Sequence, residues 1–131
     1  MAKADSIRHH CKRISAKANV QIEVFKTDID RQESVLFNLQ MAIQNCIDIA
    51  AHIVSEEGYG VPGSSNEMFY MLEENGFLEP ALTEKLVKAV GLRNLIVHEY
   101  GQLDLEQIHR ITQEEISDLN DYVKSILRKT T

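Results

Sequence analysis

The stretch from Asp28 to Glu57 contains neither proline nor glycine, and Val35, Leu36, Leu39, Ile43, Cys46, Ile47, Ala50 and Val54 recur along it at steps of three and four. That spacing predicts one long amphipathic helix. Thr27 and Asp28 are cap-forming residues at its start, and Gly58 is a natural stop at its end. A helix of this length buries its apolar stripe only if other elements cover it, so the rest of the chain must supply partners.

The remaining segments supply more helices. Residues 4 to 18 form a first one, with Ile7, Cys11, Ile14 and Ala18 on one face. The pattern leaves Asn19 to Asp28 open between a continuation and a connection. Gly58 to Ser65 is a loop by its turn chemistry. Ser64 with Glu67 forms a capping box for a short helix ending near Asn75 and Gly76. Pro80 suits the first turn of a helix to about Val97. After a break at Gly101 to Asp104, a last helix carries Leu105, Ile108, Ile116, Leu119, Val123 and Ile126. Thr112 with Glu115 is a second capping box that marks a kink or restart inside it. No run of alternating β-branched residues is long enough for a strand. The expected fold class is all-α, an up-and-down bundle of four to five helices in a single domain over residues 1–131.

Composition narrows the classes of function. The chain has 131 residues, 44% of them hydrophobic and 26% charged, as in an ordinary globular protein. No apolar run approaches the roughly 20 residues that cross a bilayer, so no membrane partner is expected. The start, Met1 to Arg13, is charged but has no apolar core after it, so it does not read as a signal peptide, and a cytoplasmic location is expected. A net charge of −6 argues against coating duplex nucleic acid through bulk electrostatics, although a local basic site is compatible with it. Five of the fourteen basic residues, Lys3, Arg8, Lys12, Arg13 and Lys17, fall near the start, where a solvated helix face accounts for them. Cys11 and Cys46 have neither zinc spacing nor a CxxC pattern and read as small core residues.

Chemistry concentrates at the end of the helix from Pro80. Leu92, Leu95, Ile96 and Val97 point in nearly every direction around its axis, as in a helix buried on most sides, and Arg93, Asn94 and His98 interrupt them. Polar groups in such a place need partners or a ligand. Asn94 and His98 share a face. Arg93 lies five positions from His98 and points roughly 140° away on a straight helix, which favours a site completed by a second copy of the chain. Spacing alone also admits a structural reading, in which His98 answers the helix dipole and Arg93 pairs with a carboxylate such as Asp48.

Arg93, four residues, His98, one residue, Tyr100 resembles the R-x4-H-x-Y signature of HepT-like toxins in the HEPN superfamily. Asn45 to Ile53, around Asp48, is similar to that family's long second helix, and the similarity covers roughly residues 5 to 128. The resemblance implies a HEPN fold and a metal-independent endoribonuclease acting on RNA in a homodimer cleft. It implies no cofactor and no metal. Arg93 would hold the phosphate and stabilise charge, His98 would move a proton, and Asn94 would bind substrate or orient His98. It also implies a nucleotidyltransferase antitoxin, MntA, with Tyr100 as the acceptor of AMP. The added bulk and charge would then block phosphate binding. Asp48 would support the site from behind, and His52, one turn on, could pair with it. The competing reading is a non-catalytic HEPN module that binds a nucleotidyltransferase, which takes the net charge of −6 at face value. Glu106 and His109 have di-iron spacing, but only one such motif occurs. His9, His10 and Cys11 point to different sides of a helix and make no metal site.

Overall fold

The structure, a computed structural model, describes residues 1–130. Seven α-helices follow one another: α1 (Ala2–Ala18), α2 (Ile22–Thr27), α3 (Ile29–Glu57), α4 (Ser65–Glu74), α5 (Pro80–His98), α6 (Leu105–Glu114) and α7 (Ile116–Thr130). A 3-10 turn at Tyr100–Gln102 separates α5 from α6, and the described residues contain no strand. The all-α bundle is as expected. Its helix count matches the expected upper figure when α6 and α7 are taken as one interrupted helix and the short α2 as part of the α1–α3 link.

Local chemistry explains where the helices stop. Asp28 is extended and its side chain accepts from the Arg31 N–H, so it caps α3 and separates it from α2. The carbonyls left at the end of α2 are taken up by the Thr27 hydroxyl and the Gln32 amide. At the far end of α3, Gly58 adopts φ +66°, and the Tyr59 N–H reaches back to the Val54 carbonyl at 3.1 Å. A side chain at Gly58 would strain this turn. Ser64 caps α4 as the capping box predicts, but Glu67 accepts from the Gly63 N–H instead of the Ser64 N–H. The second box does not form. Thr112 is buried and donates to the His109 carbonyl at 2.6 Å, while Glu115 provides the break between α6 and α7.

α3 is the spine. Lys3 meets Asp48, Ser6 meets Asn45, His10 meets Asn38, and Arg31 meets the Lys17 carbonyl, so α1 runs antiparallel along it. Beneath these polar pairs, Ile7, Cys11 and Ile14 share a core with Leu39, Ile43 and Cys46. Polar groups at the edge of such a seam cost little because each has a partner. α7 is pinned through Tyr122, which is fully buried, donates to the Cys46 carbonyl at 2.9 Å and meets the Phe69 ring edge-on.

The residues with di-iron spacing serve the scaffold. Glu106 pairs with Lys26 of α2 at 2.7 Å, and His109 donates to the Val20 carbonyl in the α1–α2 link, so both hold α6 in place. Among the described residues, no three His, Cys, Asp or Glu side chains gather as a metal would require. No helix there is long and apolar enough to cross a membrane.

Cys11 and Cys46 are free and buried, as expected of core residues. Burial raises the Cys11 thiol from the usual 9.0 to about 11 and pushes Cys46 higher still. A thiol reagent at pH 8 is therefore expected to titrate both cysteines only after denaturant unfolds the chain. The raised thiols also set a pH dependence, since the unfolded thiols ionise first. Their contribution to stability stays whole below pH 9.0 and declines as pH rises through about 11, which denaturant midpoints across that range will register. Tyr122→Phe removes the bond to α3 and is expected to cost about 1 kcal/mol by chemical denaturation.

Candidate active site

α5 begins with Pro80 at a first-turn position and packs against α3, α4 and α7 through Thr83, Leu86, Val90 and Ile96. Its last turn is not buried on most sides. Ile96 is buried and Leu92 half-buried, but Leu95 is 44% exposed and Val97 43% exposed. Neighbouring helices bury Ile96, and the described residues leave Leu95 and Val97 on its two flanks partly open. Periodicity places apolar residues all round the helix without telling which of them a single chain buries.

Arg93 is half-buried and anchored at both ends of its fork. Nη1 donates to Asn94 Oδ1 at 2.8 Å, and Nη2 donates to Gln44 Oε1 at 2.6 Å. Its Nε is buried and has no acceptor. Both anchors are neutral amide oxygens, so neither offsets the guanidinium charge. Asn94, which shares a face with His98, turns to Arg93 and not to the histidine.

Asp48 does not touch Arg93. Gln44 stands between them, passing its own N–H to Asp48 Oδ1 at 2.9 Å, and Lys3 reaches Asp48 Oδ2 at 3.1 Å. Asp48 is thereby occupied by Gln44 and Lys3, and the pairing of Asp48 with His52 does not form. Among the described residues, Lys3 is the one member of the basic start of the chain that forms an ion pair with α3. Gln44 is the residue that sequence reasoning omits. A signal for half of its role exists, because a glutamine four positions before an aspartate on a helix is a favourable pair. Its other half is contact across the fold and leaves no local trace.

His98 is the last residue of α5, exposed, with its imidazole free for solvent or a ligand. Tyr100 opens the 3-10 turn and is 52% exposed. No hydrogen bond joins Arg93 to His98, in line with their divergence on the helix. The structure thus brings Arg93, Asn94, Gln44 and Asp48 into one connected set and leaves His98 and Tyr100 open beyond it. A separate open groove of about 550 Å³ lies between α3, α5, α6 and α7, lined by Leu39, Ile43, Leu92, Leu95 and Ile111, and neither Arg93 nor His98 borders it.

The arrangement can hold an anion and move a proton. A half-buried guanidinium whose Nη groups meet only neutral amide oxygens keeps further N–H donors for a phosphate. An exposed imidazole on the same helix end offers general acid or base function.

Comparison with known proteins places these residues in a family. Residues 7–126 match the family model described as ribonuclease HepT-like. The chain is 38% identical over 102 residues to the mRNA nuclease HepT of Shewanella oneidensis, covering 78% of this chain and 77% of that protein. It is 29% identical over 108 residues to the tRNA nuclease HepT of Aphanizomenon flos-aquae, covering 82% of this chain and 74% of that protein. Among solved structures, it resembles the tri-AMPylated Shewanella oneidensis HEPN toxin in complex with MNT antitoxin, with a TM-score of 0.89 and 35% identity. That match covers 97% of this chain and 95% of the other.

Proposed function

Because the chain belongs to the HepT-like ribonuclease family, we propose that it is the toxin of a toxin–antitoxin pair, an endoribonuclease folded as one domain over residues 1–131 and acting in the cytoplasm. The observation that carries this reading is the state of Arg93: half-buried, held by two neutral amides, and still owning its full charge at the helix end that presents His98.

RNA supplies the nucleophile. The 2′-oxygen forms a bond to the adjacent phosphorus, the bond from phosphorus to the 5′-oxygen breaks, one proton leaves the 2′-hydroxyl and one reaches the departing oxygen. His98 moves one of these protons, as imidazole can near neutral pH. Arg93 binds the phosphate and stabilises the charge that builds on it, and Asn94 steers the guanidinium and contacts substrate. As the resemblance to the family implies, these side chains act without a metal or a cofactor.

A second copy completes the site. Leu95 and Val97 lie on the two flanks of the buried Ile96 at the end of α5 and leave exposed apolar area there among the described residues. A homodimer across this end of α5 brings the Arg93 of one protomer toward the His98 of its partner, which a single straight helix does not.

Neutralisation acts at Tyr100. Its exposed hydroxyl is open to a nucleotidyltransferase antitoxin of the MntA kind, supported by the tri-AMPylated state of the solved relative with its MNT antitoxin. The phenolic oxygen loses its proton and bonds to the α-phosphorus of ATP, the bond from that phosphorus to the bridging oxygen breaks, and pyrophosphate leaves. The added phosphate sits two residues from His98 and repels the substrate backbone.

Inducing the protein alone is expected to arrest growth. His98→Ala restores growth, leaves the helical circular dichroism unchanged and lowers RNA cleavage by about 10²–10⁴-fold. Tyr100→Phe stays toxic in the presence of the antitoxin and gains no AMP by intact mass; unimpaired growth with the intact protein would refute the toxin reading. Changing Leu95 and Val97 together to glutamate is expected to yield a folded monomer by sedimentation, with cleavage lost.

A further inference from the structure

Arg93 could have been tethered directly by a carboxylate, since Asp48 lies nearby on α3. Instead an amide stands between them. Arg93 Nη2 donates to Gln44 Oε1 at 2.6 Å, Gln44 Nε2 donates to Asp48 Oδ1 at 2.9 Å, and Lys3 Nζ donates to Asp48 Oδ2 at 3.1 Å. Resting on the ribonuclease reading, we propose that Gln44 is a positioning residue that fixes Arg93 through Asp48 while keeping the guanidinium charge available to RNA phosphate.

The direction of the amide is set by its neighbours. An ionised carboxylate only accepts, so Gln44 must turn its NH2 toward Asp48 and therefore its oxygen toward Arg93. Gln44 and Asp48 are one turn apart on the continuous helix α3, which fixes their separation. Asp48 in turn is held by Lys3 from α1, so three helices meet in this one relay. A guanidinium paired straight to a carboxylate makes a strong forked contact that competes with phosphate for the same donors. The interposed amide passes on the positional constraint without the charge, and Lys3 answers the charge of Asp48. Arg93 also keeps its buried Nε–H unsatisfied, a donor with no acceptor in the protein.

Two substitutions separate holding from charge. Gln44→Met keeps the side-chain length but loses both hydrogen bonds, leaving Arg93 to Asn94 alone. Gln44→Glu keeps an acceptor for Arg93 but faces it with an anion and repels Asp48. With a labelled single-stranded RNA of mixed sequence as the probe, Gln44→Met is expected to lower kcat by about 10- to 100-fold with KM changed less than about threefold, because a misplaced group weakens the transition state more than the encounter. Gln44→Glu is expected to raise KM about tenfold or more, as the new carboxylate competes with phosphate. Asp48→Asn lowers kcat in the wild-type background and adds nothing to Gln44→Met, since it acts through the same amide.

A second readout does not depend on cleavage. In ¹⁵N spectra, the Nη groups of Arg93 are expected to show restricted rotation in the wild type and averaging in Gln44→Met. Kinetic constants within twofold of wild type for both Gln44 variants would overturn the proposal, as would averaged Nη signals in the wild type. A wild-type protein that cleaves no RNA while Arg93 is held would instead sink the ribonuclease reading and leave Gln44 as the anchor of a binding arginine.

Discussion

A guanidinium set half into a helical bundle must be given acceptors, and the kind of acceptor decides how much of its charge remains for anything else. Carboxylates are the strongest partners and the most wasteful, because they satisfy the cation completely. In this chain Arg93 is met by the oxygens of Asn94 and Gln44. The carboxylate of Asp48 engages the second of these amides on its far side. The site therefore depends on α1, α3 and α5 being in register, because Lys3, Gln44, Asp48 and Arg93 come from all three.

That register is secured away from the site. α3 is capped at both ends, by Asp28 and by the left-handed Gly58, so its long stripe cannot slide relative to its own termini. The α1 seam adds discrete polar pairs at Ser6–Asn45 and His10–Asn38, which penalise any shift along the helix by leaving amides unpaired. From the opposite side Tyr122 fastens α7 to the same helix at Cys46, two positions before Asp48. Apolar packing alone tolerates small displacements; these bonds do not.

The fold was legible wherever its determinants are local. The stripe of α3, its caps at Asp28 and Gly58, the cap at Ser64 and Pro80 at the start of α5 all follow from residues within a turn of one another. Arg93, Asn94 and His98 stand out because polar residues interrupt an apolar helix, whereas Tyr100 is marked only by the resemblance to the R-x4-H-x-Y signature. What the sequence hides is contact at a distance. Gln44 and Arg93 are far apart in the chain, and no spacing rule links them. Thr112 and Glu115 have the letters of a capping box, yet burial of Thr112 against the His109 carbonyl prevails over the local pattern. The all-round apolar character of Leu92 to Val97 predicts burial on most sides, yet Leu95 and Val97 are left exposed. Periodicity records that a side chain avoids water, but not whose atoms replace the water.

Tyr100 stands in a short turn, half in solvent, with no hydrogen bond that the fold relies on. A group attached there displaces no core contact and unpicks no helix, so the altered chain has the same reason to stay folded as the original. Silencing at this position need not destroy the protein or hold an inhibitor bound to it. Under the proposed transfer of AMP, a cell would accumulate intact, quiescent copies whose dormancy lasts as long as one phosphodiester bond, and the abundance of the protein would then say nothing about how much of it is armed.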